Sequence, residues 1–327
     1  MKPNARQMIE EARFVDINGQ QQWITIRGSD RINPVLLIVG GPGVPLSTWA
    51  LFFQPWQEYF TLVQWDQPGA GATYGLNGEA GLEPYNLQRL RDDVISVADY
   101  ICRYLDVDRL IYFGLSGGTV IGLMAMLHKP ELFHSYAGSG QFVHWLRQAG
   151  LSYQLVLEQA RSEGDMDGVR ELEQIGPPPY TAIDAELIKS KYAGRLTKVE
   201  QAAMTTVAPE TLAAMRAPPA DANYIAPGIE YSEPIPLATR LFDRLRPEFY
   251  AFDAWQLGIR FELPMIFIQG ELDHYSVTSE VEKYFAAITA PSRQLKVLPG
   301  AGHCSFYLRD VLLNALLESV SALPGSN

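Results

Sequence analysis

Residues 109–129 decide the fold, and they read RLIYFGLSGGTVIGLMAMLHK. The apolar run at 109–114 is typical of a buried strand, and residues 118–129 have the composition and length of a helix. Between them, GLSGG (114–118) matches the pattern G-x-S-x-G at a strand-to-helix turn. Such a sharp turn strains the central residue and exposes its hydroxyl, and side chains two positions away would collide with it. Ser116 is therefore the candidate nucleophile.

Short apolar runs and helical patterns alternate on both sides of this segment. Runs such as PVLLIVGG (34–41) are apolar throughout, as expected for strands that are covered on both faces. The alternation predicts an α/β fold with a mostly parallel central sheet and helices on both faces. The predicted strands are 13–17, 22–27, 34–41, 60–71, 109–114, 134–140, 263–270 and 293–300, and the predicted helices are 87–105, 118–129, 277–288 and 306–320.

The stretch from 141 to 258 has a different pattern. Helical segments dominate it, proline clusters interrupt it, and it has no run typical of a buried strand. Sheet patterning resumes afterwards, so we predict a discontinuous core domain of residues 1–140 and 259–327 with a helical cap or lid at 141–258. The simpler alternative is a second helical domain.

Composition limits the classes of protein that this chain can be. Its 327 residues are 47% hydrophobic and 19% charged, which is typical of a globular protein. The net charge of −11 argues against nucleic acid or an anionic membrane as the main partner. Two cysteines form no disulfide framework, and neither a secretory signal nor an apolar run of membrane-spanning length is visible. We expect a cytoplasmic protein.

A serine hydroxyl is a weak nucleophile until a base removes its proton, so a histidine partner is required. Of the five histidines, His303 follows a predicted strand in the glycine-rich loop PGAGH (299–303), which suits a catalytic imidazole. His274 is the rival, but it directly follows Asp273, and adjacent side chains rarely point at one target. We therefore predict His303 as the base.

The base in turn needs an acid that fixes its tautomer and stabilises the imidazolium. Asp273 lies just past the end of the predicted strand 263–269, at the carboxyl edge of the sheet. The chain order Ser116, Asp273, His303 is the order that a nucleophile on a G-x-S-x-G turn requires. Glu271 is the fallback acid.

A tetrahedral intermediate needs hydrogen-bond donors for its oxyanion. The amide of Gly117 directly follows the candidate nucleophile, and GGPG (40–43) follows an earlier strand, so the amide of Gly41 is the second candidate donor. A phosphate-binding loop is excluded because GGPGVPLST has no lysine before its Ser-Thr pair. A dinucleotide-binding loop is excluded because the third glycine is missing. We expect no cofactor and no metal.

In these motifs the chain resembles the α/β-hydrolase superfamily, and within it the prolyl aminopeptidase (proline iminopeptidase) group. The motifs that carry the resemblance are GGPG (40–43), WDQPGAG (65–71), GLSGGT (114–119), QGELDH (269–274) and GAGH (300–303). The resemblance implies Ser116 as nucleophile, Asp273 as acid and His303 as base, with the amides of Gly41 and Gly117 as the oxyanion hole. The helical cap of the family corresponds to about 141–258.

The chain departs from that group at three positions. Val39 replaces a histidine before GGPG, Pro68 replaces an arginine, and Gly117 replaces the tryptophan that peptidase members commonly carry. Backbone donors survive these changes, but a large aromatic wall beside the nucleophile is missing. Members that act on a free amino terminus hold the ammonium with cap carboxylates, and Glu230 and Glu233 are the candidates here.

The sequence therefore predicts a serine hydrolase that acts through an acyl-enzyme on a small molecule or short peptide. The substrate is a small amide with an N-terminal residue or an ester. One alternative is a carboxylesterase or lactonase without peptidase activity, and a less favoured one is a non-catalytic ligand-binding protein. No nucleic acid or membrane partner is expected, and self-association stays open.

Overall fold

The computed structural model describes residues 6–227 and 236–321. Its centre is an eight-stranded sheet in the order β1-β2-β4-β3-β5-β6-β7-β8. The first pairings, β1 with β2 and β2 with β4, are antiparallel, and all the others are parallel. The predicted mostly parallel sheet with helices on both faces is confirmed.

Most of the predicted strands and helices have their bounds within three residues of the observed ones, but β1 begins four residues earlier and β4 ends at Asp66, five residues before the predicted end at 71. The strands are β1 (Ile9–Ile17), β2 (Gln20–Gly28), β3 (Val35–Val39), β4 (Thr61–Asp66), β5 (Leu110–Leu115), β6 (Phe133–Ser139), β7 (Met265–Gly270) and β8 (Arg293–Leu298). The helices are α1 (Ala50–Phe53), α2 (Gly71–Asn77), α3 (Leu87–Leu105), α4 (Gly118–His128), α5 (Trp145–Glu163), α6 (Met166–Ile175), α7 (Ile183–Ala193), α8 (Lys198–Thr205), α9 (Pro209–Ala214), α10 (Pro236–Ala251), α11 (Ala254–Leu257), α12 (Thr278–Ala287) and α13 (Arg309–Ser321).

The first two strands form an antiparallel hairpin. Asn18 and Gly19 both have positive φ, at 53° and 82°, as a tight two-residue turn between right-twisted strands requires. The ladder runs back to Ile9, which pairs with Gly28. The strand therefore begins four residues earlier than its apolar pattern suggested, because an edge strand tolerates polar side chains such as Glu10.

Strand β3 is buried on both faces, which explains its unbroken apolar sequence. Leu37 and Val39 belong to one hydrophobic cluster, which extends to Val94 of α3. Leu36 and Ile38 belong to the opposite cluster, which includes aromatic side chains between β3 and β4 and apolar side chains of α13. Helices thus cover the sheet on each side.

The parallel strands end at a common edge. Val39 at the end of β3 lies opposite Gly114, and Leu115 at the end of β5 lies opposite Ser139. Gly270 at the end of β7 lies opposite Leu298 at the end of β8. Because these ends are in register, the loops that follow them start side by side, and ligands of open α/β sheets bind at this edge.

Helices α5 to α11 occupy the chain between β6 and β7. Helices α5, α6 and α7 share a small hydrophobic cluster of their own, whereas Leu245 and Phe249 of α10 join the main cluster on the sheet. Within the described part of 141–258, β pairing is limited to one isolated bridge from His144 to Asp253. The boundaries of a cap at 141–258 stay a prediction.

None of the helices built from the described residues is both long enough and apolar enough to cross a bilayer.

Candidate active site

Ser116 occupies a strained turn between β5 and α4. Its φ is 53°, in the left-handed region that L-residues rarely adopt. Its backbone N–H donates to the carbonyl of Ser139 at 2.9 Å, which ties the turn to the end of β6. Strain held in place by surrounding structure is typical of functional sites. The strained serine that the motif predicts is confirmed.

The glycines around Ser116 are required by close packing. A Cβ on Gly118 would lie 2.1 Å from the carbonyl oxygen of Val39, which is far inside van der Waals contact. A Cβ on Gly114 would lie 3.0 Å from the ring of Tyr112 and 3.1 Å from the carbonyl oxygen of Gly118. The predicted collision therefore occurs at Gly118, whereas a Cβ at Gly114 would make a tight contact that a small shift could relieve.

His303 contacts both other predicted residues. Its Nε2 atom lies 2.9 Å from Oγ of Ser116, which is 187 positions away in the sequence. Its Nδ1 atom lies 3.1 Å from Oδ1 and 3.0 Å from Oδ2 of Asp273. The hydrogen-bond network assigns the Nδ1–H tautomer, which leaves Nε2 free to accept the serine proton.

Asp273 is buried and strongly hydrogen-bonded, with 2% of its surface exposed. Oδ1 accepts the backbone N–H groups of Tyr275 and Ser276, each at 2.8 Å, and Oδ2 accepts from Ser276 Oγ at 2.7 Å and Gln269 Nε2 at 3.0 Å. Burial by itself raises the pKa of Asp273. The charge of His303 and hydrogen bonds from His303 and Ser276 outweigh burial, so the net pKa is lowered and the carboxylate form is favoured.

The two alternatives to this arrangement lie elsewhere. The carboxylate of Glu271 is solvent-exposed and accepts the N–H of Gly300 at 2.8 Å, so it braces the loop before His303. His274 is half-buried, and burial lowers its pKa against the opposing charge of Asp273. The contact with Ser116 belongs to His303.

Glu200 of α8 also holds the His303 loop, although it is not among the site residues predicted from the sequence. Its side chain has no exposed surface. One carboxylate oxygen accepts the N–H of Gly302 at 3.0 Å, and the other accepts the N–H of Thr197 at 2.8 Å. Thr197 and Glu200 form a capping box at the start of α8. That local pattern can be read from the sequence, but the contact with Gly302 cannot.

The two predicted oxyanion donors lie next to each other. A Cβ on Gly117 would lie 3.1 Å from the Cα of Gly41, so the two loops are in close contact. Gln67 Nε2 donates to the carbonyls of Gly40 and Gly41 at 3.0 Å each, which fixes the loop after β3. Within residues 6–227 and 236–321, neither the amide of Gly41 nor that of Gly117 donates to a backbone carbonyl.

A cavity of about 260 Å³ opens beside Ser116 and His303. Its walls come from the loop after β3, from the short helical turn Leu46–Trp49, from the ends of β5 and β6, and from Phe306. On another side of His303, the ring of Tyr275 stacks on the imidazole with centroids 4.9 Å apart.

An aromatic ring also lies next to Gly117, although the sequence there has no aromatic residue. Phe249 of α10 lies 4.0 Å from the position of a Cβ on Gly117, and it stacks on Trp145 at 4.2 Å. The wall that the motif departure removes is thus partly supplied by the helical segment between β6 and β7.

The remaining candidates are less informative. Glu230 and Glu233, proposed for ammonium binding, lie outside the described residues. Asp66 anchors its own glycine turn, because its carboxylate accepts the N–H of Ala72, and it also accepts from Ser47. Over the described residues, no group of three or more His, Cys, Asp or Glu side chains gathers as metal ligands do.

Comparison with known proteins supports the resemblance drawn from the motifs. No family model matches the chain. Over 293 residues, which cover 88% of this chain and 89% of the relative, it is 25% identical to a probable aminopeptidase of Bacillus subtilis (strain 168).

Two solved structures are similar along nearly the whole chain. A proline iminopeptidase-related protein from Thermus thermophilus aligns with a TM-score of 0.67 at 18% identity, over 98% of this chain and 100% of that one. An α/β-hydrolase enzyme from a Medee basin deep-sea metagenome library aligns with a TM-score of 0.62 at 13% identity, over 96% and 98%. The chain therefore has the α/β-hydrolase fold, and its predicted likeness to proline iminopeptidase relatives is confirmed.

Proposed function

We propose that this protein is a serine hydrolase that forms an acyl-enzyme on Ser116. The observation that carries the proposal is the unbroken set of hydrogen-bond distances from Ser116 Oγ through His303 to the carboxylate of Asp273. A nucleophile within reach of a base that a third group orients is the arrangement that covalent acyl transfer needs.

In the first half-reaction, Ser116 Oγ attacks the substrate carbonyl while His303 Nε2 accepts the serine proton. The resulting oxyanion accepts hydrogen bonds from the amides of Gly41 and Gly117, aided by the positive end of the α4 dipole. When the tetrahedral intermediate collapses, His303 returns that proton to the leaving nitrogen or oxygen. Ser116 is left acylated.

In the second half-reaction, water replaces the leaving group. The oxygen of the water attacks the acyl carbon while His303 Nε2 accepts a proton from that water. The amides of Gly41 and Gly117 donate hydrogen bonds to the second oxyanion. Collapse expels Ser116 Oγ, which receives the proton from His303, and the acid product leaves. Asp273 stays ionised throughout, and its charge stabilises the imidazolium in both steps.

The substrate that the comparisons favour is a small amide in which the amide bond after an N-terminal residue is cleaved, because the Bacillus relative is described as a probable aminopeptidase. An ester or lactone is the alternative, since Gly117 replaces the tryptophan that peptidase members of the resembling group commonly carry. We propose that residues 141–258 cap the site over the core, and that Glu230 and Glu233 would hold a substrate ammonium.

Labelling and a substrate panel test this function. A fluorophosphonate probe is expected to label the wild type and to leave Ser116→Ala unlabelled. A panel of prolyl and alanyl nitroanilides beside acetyl and butyryl nitrophenyl esters then separates the two substrate classes. Cleavage of the acyl esters alone would remove the aminopeptidase assignment. An unlabelled, inactive wild type would instead favour the non-catalytic ligand-binding alternative.

A further inference from the structure

We propose that the cavity beside Ser116 is a subsite for an uncharged, apolar group of the substrate, about as large as one ring or a short branched chain. This inference rests on the proposed function, because it assigns what lies next to the carbonyl that Ser116 attacks. The cavity of about 260 Å³ includes both Ser116 and His303 in its lining. A group that fills it is therefore directly bonded to, or one or two atoms from, the reacting centre.

The walls of this cavity are largely apolar. Leu46 and Leu115 line it and are almost completely buried, with 1% and 6% of their surface exposed. Trp49 and Phe306 face it as a packed aromatic pair, with ring centroids 5.1 Å apart, and Val44 completes the apolar lining. Burying apolar substrate surface against these walls would be favourable.

Several polar groups of the lining already have hydrogen-bond partners in the protein, and the amide of Gly41 is the proposed donor to the substrate oxyanion. Ser139 Oγ lies 3.0 Å from Ser305 Oγ, and Ser116 Oγ is held by His303. The carbonyls of Gly40 and Gly41 accept from Gln67 on the far side of the loop. A polar substituent that entered the cavity would lose its water and find these partners already engaged.

The cavity also lacks a counter-charge. Of the described residues that line it, none is Asp, Glu, Lys or Arg. Two buried acidic groups of the helical segment lie outside the lining and have partners of their own. Glu186 pairs with Lys189 at 2.7 Å, and the oxygens of Glu200 accept the N–H groups of Gly302 and Thr197. An ammonium or carboxylate in the cavity would be desolvated without a partner, which is strongly unfavourable.

The volume sets the size of the group. A dry apolar cavity of about 150 Å³ holds a benzene molecule. The larger volume here therefore fits a single ring or a branched chain of a few carbons. Each buried methylene contributes about 0.8 kcal/mol, which corresponds to about fourfold in kcat/KM per added carbon until the cavity is full.

Two series of esters test the proposal. One series lengthens the acyl chain of nitrophenyl esters from acetyl to octanoyl, and the other lengthens the alcohol of acetate esters. In one of these two series, kcat/KM is expected to rise about fourfold per methylene over the first members and to fall for longer chains. In the responding series, a carboxylate or ammonium at the chain end should lower kcat/KM at least 100-fold relative to the uncharged chain of equal length.

Two variants should shift the optimum in opposite directions. Val44→Phe narrows the cavity and is expected to move the best chain to a shorter one, whereas Phe306→Ala widens it and should favour longer chains. Phe285→Ala is the matched control. Phe285 is a half-buried phenylalanine of α12 outside the lining, so its loss should leave the optimum unchanged. Opposite shifts cannot arise from general destabilisation, which acts in one direction.

The outcomes separate this inference from the function that underlies it. If both series are flat, or charged chains react as well as neutral ones, while Ser116 is still labelled, the subsite is refuted and the hydrolase stands. The subsite is refuted likewise if all three variants share the wild-type optimum. If neither labelling nor hydrolysis depends on Ser116, both proposals are overturned.

Discussion

Removal of the Glu200 carboxylate should slow the chemical step, although Glu200 lies outside the proposed set of reacting groups. Its two oxygens accept the N–H groups of Gly302 and Thr197, and the side chain has no exposed surface. Gly302 immediately precedes His303 in the chain. In Glu200→Ala the Gly302 amide loses its partner, so the segment that carries the imidazole is free to relax.

The expected magnitudes follow from these contacts. A hydrogen bond to a charged group contributes about 1.5–3 kcal/mol, and Glu200→Ala removes two. Water can enter the space that the substitution opens, so we expect the free energy of unfolding to fall by about 3 kcal/mol rather than by the full sum. A displacement of His303 by about 1 Å would lower kcat about 100-fold. Glu200→Gln retains one acceptor oxygen and should recover part of both losses.

Steady-state kinetics on the best ester and urea unfolding measure the two effects separately. We expect Glu200→Ala to lower kcat and to keep KM within about twofold of the wild type. The substitution displaces His303 but does not alter the surface that binds the substrate. Glu280→Ala is the matched control: Glu280 is 3% exposed and pairs with Arg147 and Lys283, so it should lose stability but keep its kcat. Equal losses of kcat in both variants, or a Glu200→Ala enzyme within threefold of wild-type kcat, would refute the reasoning.

Three further predictions concern packing, pH and buried charge. Gly118→Ala places a Cβ 2.1 Å from a main-chain carbonyl oxygen, so it should lower the free energy of unfolding by about 1–3 kcal/mol and abolish most of kcat. Gly150→Ala has open space around its Cβ and should raise the free energy of unfolding by up to about 1 kcal/mol in the same urea assay. The pKa of Asp273 is lowered in the folded protein. Its contribution to stability is therefore complete above the ordinary aspartate pKa of about 3.9 and is lost as the pH falls through the folded value. The urea midpoint of Asp273→Asn should accordingly fall less steeply with decreasing pH than that of the wild type. Lys189→Met leaves Glu186 buried without its cation and should cost about 3–5 kcal/mol, and the double variant with Glu186→Gln should recover most of it in a double-mutant cycle.

The sheet could be predicted because burial on both faces leaves a simple pattern in the sequence. Strand β3 is a continuous apolar run that ends where Gly40 begins, and β5 is fully buried and ends one residue before Ser116. Helix α3 has its predicted bounds because Asn86 caps its first turn and Asp106, in a left-handed conformation, ends it. Edge strand β1 and helix α13 were less well predicted. Polar residues hide the start of β1, and a short helical turn at Ser305–Tyr307 precedes α13.

The positions of Ser116, Asp273 and His303 at one edge could also be predicted, because parallel strands in register deliver their following loops to the same place. The contact of Glu200 with Gly302 could not be predicted, since the two residues are 102 positions apart and Gly302 lies in a loop without a periodic pattern. The same holds for Phe249 beside Gly117. Both contacts depend on how the helices between β6 and β7 pack on the sheet, and no local periodicity encodes that packing.

These two contacts also bear on what the helical segment does. A lid that only limited access would contact the entrance of the site, and the core domain alone would position the reacting groups. Here α8 holds the backbone next to His303 through Glu200, and α10 places Phe249 against the turn that carries Gly117. The geometry of the proposed base and of one proposed oxyanion donor is therefore shared between the sheet and the inserted helices. Substitutions in those helices should act on kcat as well as on substrate selection, because the segment is part of the support for the chemistry.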